Sequence, residues 1–164
     1  MSPWLLLLLL AAMLQSTLLP GWTFFGVHPN LVLVLVVAWS LLRGGREGLI
    51  WGLVGGILLD LYSITPFGTF TVAMLVIALV AGFAELTPFR PALLLPVGMV
   101  LALSPLFHLV ALGMMQSLGW DVAWSSTWRL LPASAILNAL LTLLLFRPMR
   151  ALSRRAGERA IEWS

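Results

Sequence analysis

The chain has no cysteine and no lysine, and charged residues make up only 9% of its 164 positions. The first absence excludes disulfides, thiolate metal sites and a cysteine nucleophile. The second excludes the glycine-lysine loop that cradles phosphates in nucleotide-binding enzymes. All nine basic residues are arginines, and no basic patch is interleaved with stacking aromatics, so nucleic acid is not an implied partner. There are two histidines, and with Asp60 and Asp121 they show no metal-ligand spacing. No cofactor is implied.

What fills the sequence instead is apolar. Hydrophobic residues account for 61% of the chain and mean hydropathy is +1.06, far from soluble composition. Runs of roughly 20 apolar residues, rather than short alternating segments, favour membrane helices over a barrel. The pattern predicts a single transmembrane domain, 1–164, with helices near 3–19, 29–42, 48–63, 70–84, 92–118 and 130–146 and a basic tail over 147–164. The leucine-rich opening has no basic residue before it and further apolar spans after it, so it reads as a retained first helix. Trp22, Phe24 and Phe25 suit the membrane boundary, as do Trp120, Trp124 and Trp128, whose spacing of four fits a short interfacial helical turn. Pro29 and Asn30 mark the start of the second helix. At about 21 Å that helix is short for a crossing unless Trp39 and Arg43 dress its end. Pro96 and Pro105 predict a tilted or kinked fifth helix.

Orientation follows from the arginines. With both termini in the cytoplasm, six crossings place eight of the nine inside and leave Arg129 outside. Asp60, Pro66, Gly68, His28 and the tryptophan-rich segment then face outward.

The stretch from Gly48 to Gly68 carries the most information. Gly48, Gly52 and Gly56 recur every four residues and Asp60 continues the series, giving one nearly bare helix face that ends in a carboxylate. Such a face lets another helix approach closely, either within the bundle or from a partner. Ala78 and Gly82 form a second small-residue pair. Asp60 in the membrane costs roughly 2.5 to 3.5 kcal/mol without a partner, which predicts a structural hydrogen bond or an ion pair with Arg129. The Thr65-Pro66-Phe67-Gly68 sequence predicts a tight uncharged turn.

Catalytic readings are poorly supported. Ser104 and His108 lie four apart, but no nucleophile elbow surrounds Ser104 and its place before Pro105 points to a helix kink. Asp60 and Asp121 sit in nothing like a paired-carboxylate motif. The expectation is a protein without enzymatic activity.

The segment Gly26-Val27-His28-Pro29-Asn30-Leu31-Val32-Leu33, then Arg43-Gly44, Gly55-Gly56-Ile57-Leu58-Leu59-Asp60-Leu61 and Pro66-Phe67-Gly68 resembles the rod shape-determining MreD family. That resemblance implies a non-catalytic scaffold in the bacterial inner membrane, bound to MreC and through it to MreB, RodA and a class B penicillin-binding protein. It also implies a part in coupling peptidoglycan synthesis to cell shape. It implies a six-helix bundle like the substrate-binding components of energy-coupling-factor (ECF) transporters, and leaves a homo-oligomer open. Pro29, Asn30, Asp60, Pro66, Phe67 and Gly68 match family positions. The glycine face of the third helix, or Ala78 with Gly82, is expected to form a groove for the MreC helix. The competing expectation is a small-molecule-binding component of a vitamin-type transporter, with His28, Asp60, Asp121, Asn138 or Arg129 as ligands.

Overall fold

A computed structural model describes residues 3–17, 21, 26–84 and 93–162, with the backbone alone from 156 onward. The described residues form six helices: α1 (Pro3–Thr17), α2 (Leu31–Arg43), α3 (Gly45–Leu61), α4 (Thr69–Ala84), α5 (Leu94–Ser117) and α6 (Trp124–Glu162). No strand is present among them. The aromatics expected at the boundary, Trp22, Phe24 and Phe25, lie outside the described residues, as do residues 85–92 between α4 and α5.

The bundle is arranged around α2. Asn30 caps its first turn, its Oδ1 accepting the Leu33 N–H at 3.0 Å. Every residue from Val32 to Ser40 is buried, and α2 packs against all five other helices. Its valines are weak helix formers in isolation, so burial on every side sustains the helix. Around it α3 packs on α4, α4 on α5, α5 on α6, and α1 on α3. Among the described residues the backbones of α1 and α6 do not approach each other, and the buried α2 lies between them, with Leu8 of α1 and Phe146 and Met149 of α6 in the same apolar core.

Gly44 alone separates α2 from α3. Its φ of +99° lies in the region that favours glycine, and its N–H bonds to the Ser40 carbonyl at 3.0 Å while its carbonyl accepts from Gly48. At this end Trp39 stacks on Trp51 with centroids 4.4 Å apart and touches Trp4 at 5.5 Å. The Trp39 indole donates to Glu47 at 3.1 Å, and Glu47 pairs with Arg43 at 3.0 Å. Trp39 is therefore a buried plug rather than the interfacial anchor expected from its place near the helix end.

Two helices, Leu94–Ser117 and Trp124–Arg155, are long and apolar enough to cross a bilayer. Pro105 lies inside α5 and withholds an N–H from the Leu101 carbonyl. α6 differs from expectation at both ends. Trp124 and Trp128 belong to its first turns instead of a separate interfacial segment, while Trp120 precedes them outside any helix. Its helix also continues through the basic tail to Glu162, 39 residues in all. Arginine and leucine are good helix formers, so the change from apolar to charged side chains gives the backbone no reason to stop.

Candidate functional site

Asp60 sits at the end of α3 with 3% of its surface exposed. The Asp60 oxygens face the start of α4: Oδ2 accepts from the Gly68 N–H at 2.9 Å, the Thr71 N–H at 3.0 Å and the Thr71 hydroxyl, and Oδ1 from the Phe70 N–H at 2.9 Å. Four donors and no acceptor surround it. The first turn of α4 thus has its free N–H groups met by a carboxylate from another helix, where the helix dipole also favours negative charge. Pro66 and Gly68 shape the turn that permits this. Gly68 has φ of +99° and open space beside it, so its requirement is conformation. The Pro66 carbonyl accepts from Thr69 at 3.2 Å for the N–H and 2.8 Å for the hydroxyl. Phe67 points outward, 67% exposed.

The ion pair expected between Asp60 and Arg129 is not formed. Arg129 is exposed on the first turns of α6, and the carboxylate is spent on backbone groups of α4, which lie closer along the chain. Among the described residues the one ion pair is Arg43 with Glu47.

The glycine face is filled from within. A Cβ at Gly56 would lie 2.5 Å from the Thr71 Cα, one at Gly52 would lie 2.9 Å from the Ala78 Cβ, and one at Gly82 would lie 2.7 Å from the Gly45 Cα. At Gly48 it would overlap the Ser40 side chain of α2. The small residues of α3 and α4 therefore serve each other and α2. The partner-helix groove expected on this face, and at Ala78 and Gly82, is occupied by the protein's own helices, because α4 follows α3 through a short turn and reaches the face first.

A buried polar chain crosses the core near the other face of α2. The Asn138 Oδ1 accepts the Asn30 N–H at 2.7 Å, the Asn138 Nδ2 donates to the Ser104 hydroxyl at 3.0 Å, and the Ser104 carbonyl is 2.8 Å from the His108 Nδ1. A carbonyl can only accept, so the His108 Nδ1 is the donor in this bond. Ser104 and His108 are thus joined through a carbonyl rather than a hydroxyl, and no nucleophile-base pair exists there. Among the described residues no three His, Asp or Glu side chains gather.

Beside this chain, at the end away from the tryptophan stack, is a cavity of about 800 Å³. Gln15 and Ser16 of α1, Pro29 and Asn30 before α2, Tyr62 after α3, His108 of α5 and Ser134 of α6 contribute to its wall, with Phe70 and Phe107 stacked at 5.8 Å. Among the described residues no Asp, Glu, Lys or Arg lines it. Leu59 of α3, Leu112 of α5 and Leu130 and Leu131 of α6 complete its apolar lining, so the cavity lies between the ends of several helices. Ser134 is 2% exposed and its hydroxyl has no hydrogen-bond partner. Of the ligands expected for a vitamin-type molecule, His28 lies in the wall, Asn138 is engaged in the core, Asp60 caps α4, and Asp121 and Arg129 are exposed. Sequence reading passed over Ser134 and Gln15. The available signal was a hydroxyl on the buried face of an apolar helix, which is a faint one.

A family model described as rod shape-determining protein MreD matches residues 1–156. The chain belongs to the MreD family. It is thus a rod-shape-determining membrane component, in a family of shape-determining structural proteins. The match covers every helix from α1 through most of α6, so every residue that lines the cavity lies within it. No curated protein and no solved structure matches the chain.

Proposed function

We propose that this protein is a non-catalytic scaffold of the rod complex that crosses the inner membrane six times, keeps both termini in the cytoplasm and binds MreC directly. Through MreC it joins MreB, RodA and a class B penicillin-binding protein, and so helps couple wall synthesis to cell shape. One observation carries the reading of where it grips. The close-packing faces are used up internally, whereas at the end of the bundle away from the tryptophan stack α1, α5 and α6 help wall a cavity with no charged side chain among the described residues, and the wall residue Ser134 has a buried hydroxyl without a partner. A buried polar group without a partner costs free energy. A segment of MreC entering this cavity near the outer membrane surface would supply the missing hydrogen bond once the Ser134 side chain turns toward it.

The test is co-purification of MreC from solubilised membranes with the cavity filled by Ser134→Leu or Leu112→Trp. Loss of MreC with the thermal midpoint kept within a few degrees supports the reading. Retention by both variants would move the contact elsewhere. A reporter fused after Ser164 that reads periplasmic would refute the orientation. The vitamin-type ligand expected as the competing occupant gains nothing from the family match. A small molecule retained by the purified protein and expelled by Leu112→Trp would restore it.

A further inference from the structure

α6 carries one outward stripe whose chemistry changes within a single turn. Ile136, Leu140, Leu143 and Leu144 are exposed on it, Leu144 the most at 72%. Arg147, Arg150 and Arg154 follow at helical spacings of three and four, and all three are exposed. The opposite side of the same helix buries Asn138, Thr142, Phe146, Met149 and Ser153. The arginines therefore continue the side that faces lipid, not the side that faces protein. From Leu144 to Arg147 the helix rises only about 4.5 Å, so the hydrocarbon boundary falls between them. Among the described side chains, which end at Arg155 and so leave out Glu158, none of the three has a carboxylate partner.

The geometry points to a binding site on α6 for an anionic phospholipid, with acyl chains along Ile136, Leu140 and Leu143 and the phosphate held by Arg147, Arg150 and Arg154. Guanidinium groups suit this because their paired donors match phosphate oxygens. An acidic protein segment would meet the same charges. Continuity with an apolar stripe of lipid-facing side chains favours the lipid. The site is independent of any MreC contact, which the cavity at the other end of α6 would take.

The full chain, purified in detergent, is mixed with equal amounts of phosphatidylglycerol and phosphatidylcholine, and retained lipid is measured by native mass spectrometry. Phosphatidylglycerol is expected to be enriched. R147Q/R150Q/R154Q is expected to abolish the enrichment, by up to roughly fivefold per arginine, R147K/R150K/R154K to keep part of it, and Arg129→Gln at the other end to leave it intact. Micelles have no sides, so altered membrane orientation does not enter. Undiminished enrichment in the glutamine variant overturns the site. So does complete displacement by millimolar inorganic phosphate, which would mean an anion site without lipid, or a preference for polyglutamate over phosphatidylglycerol.

Discussion

Asp60 and Thr71 are bonded twice: one carboxylate oxygen takes both the backbone N–H and the side-chain hydroxyl of the same threonine. Residues eleven apart in sequence are thereby fixed across the turn between α3 and α4, beside the point where Gly56 lies against the Thr71 backbone. Asp60→Ala should lower stability by about 2–3 kcal/mol, since it strands α4 donors as well as removing a cap. Asp60→Asn keeps one accepting oxygen and should cost about 1 kcal/mol. Thermal unfolding in detergent reads the order, and equal midpoints for all three proteins would contradict it.

Gly56→Ala and Gly98→Ala should separate cleanly. The first drives a methyl into backbone that cannot yield and should destabilise by about 1–3 kcal/mol. The second meets nothing within 4 Å on an exposed part of α5 and should be neutral or gain up to about 1 kcal/mol from helix propensity. Melting curves of the two variants, side by side, give the answer.

The Asn138 chain makes a coupled prediction. Asn138→Leu deprives both the Asn30 N–H and the Ser104 hydroxyl and should cost about 2–3 kcal/mol, against about 1 kcal/mol for Ser104→Ala. Because the two share a bond, the double variant should lose less than the sum. Strict additivity in a double-mutant cycle would argue that the bond contributes nothing.

Ser134→Ala should act in opposite directions on two readouts. Deleting a buried hydroxyl that has no partner should leave stability unchanged or raise it by up to about 1 kcal/mol. MreC recovery should fall, because the hydrogen bond proposed to form on binding is gone. Reduced stability together with full recovery would count against the cavity as the contact.

Glu47→Gln should be mild. The Arg43 pair is partly exposed, so its loss should cost under about 1 kcal/mol and less at high salt. The indole bond from Trp39 survives in the amide. A drop of several degrees in melting temperature at any salt concentration would be inconsistent with this.

Much of the helical plan was readable because its punctuation is local chemistry. Asn30 caps, Gly44 and Gly68 supply positive φ, and Pro66 stops a helix, each needing only its neighbours. The glycine series likewise identified a close-packing face. What periodicity does not carry is the identity of the surface that meets that face, which here is α4 and α2 rather than a partner. Asp60 was legible as a residue needing a partner, yet it found backbone N–H groups, which no residue type advertises. Ser134 was missed because an uncharged hydroxyl in an apolar run is ordinary until its bonds are counted. The long α6 was divided at Arg147 by polarity, although polarity decides which phase a helix enters and not whether it is helical.

α2 is only 13 residues long, yet none of its side chains from Val32 to Ser40 reaches the outside. A helix walled in by protein has no hydrocarbon to match, so thickening or thinning of the bilayer will strain α5 and α6 at the rim and leave this central pin untouched. Mutations along it should therefore report on how the bundle holds together whatever lipid surrounds it.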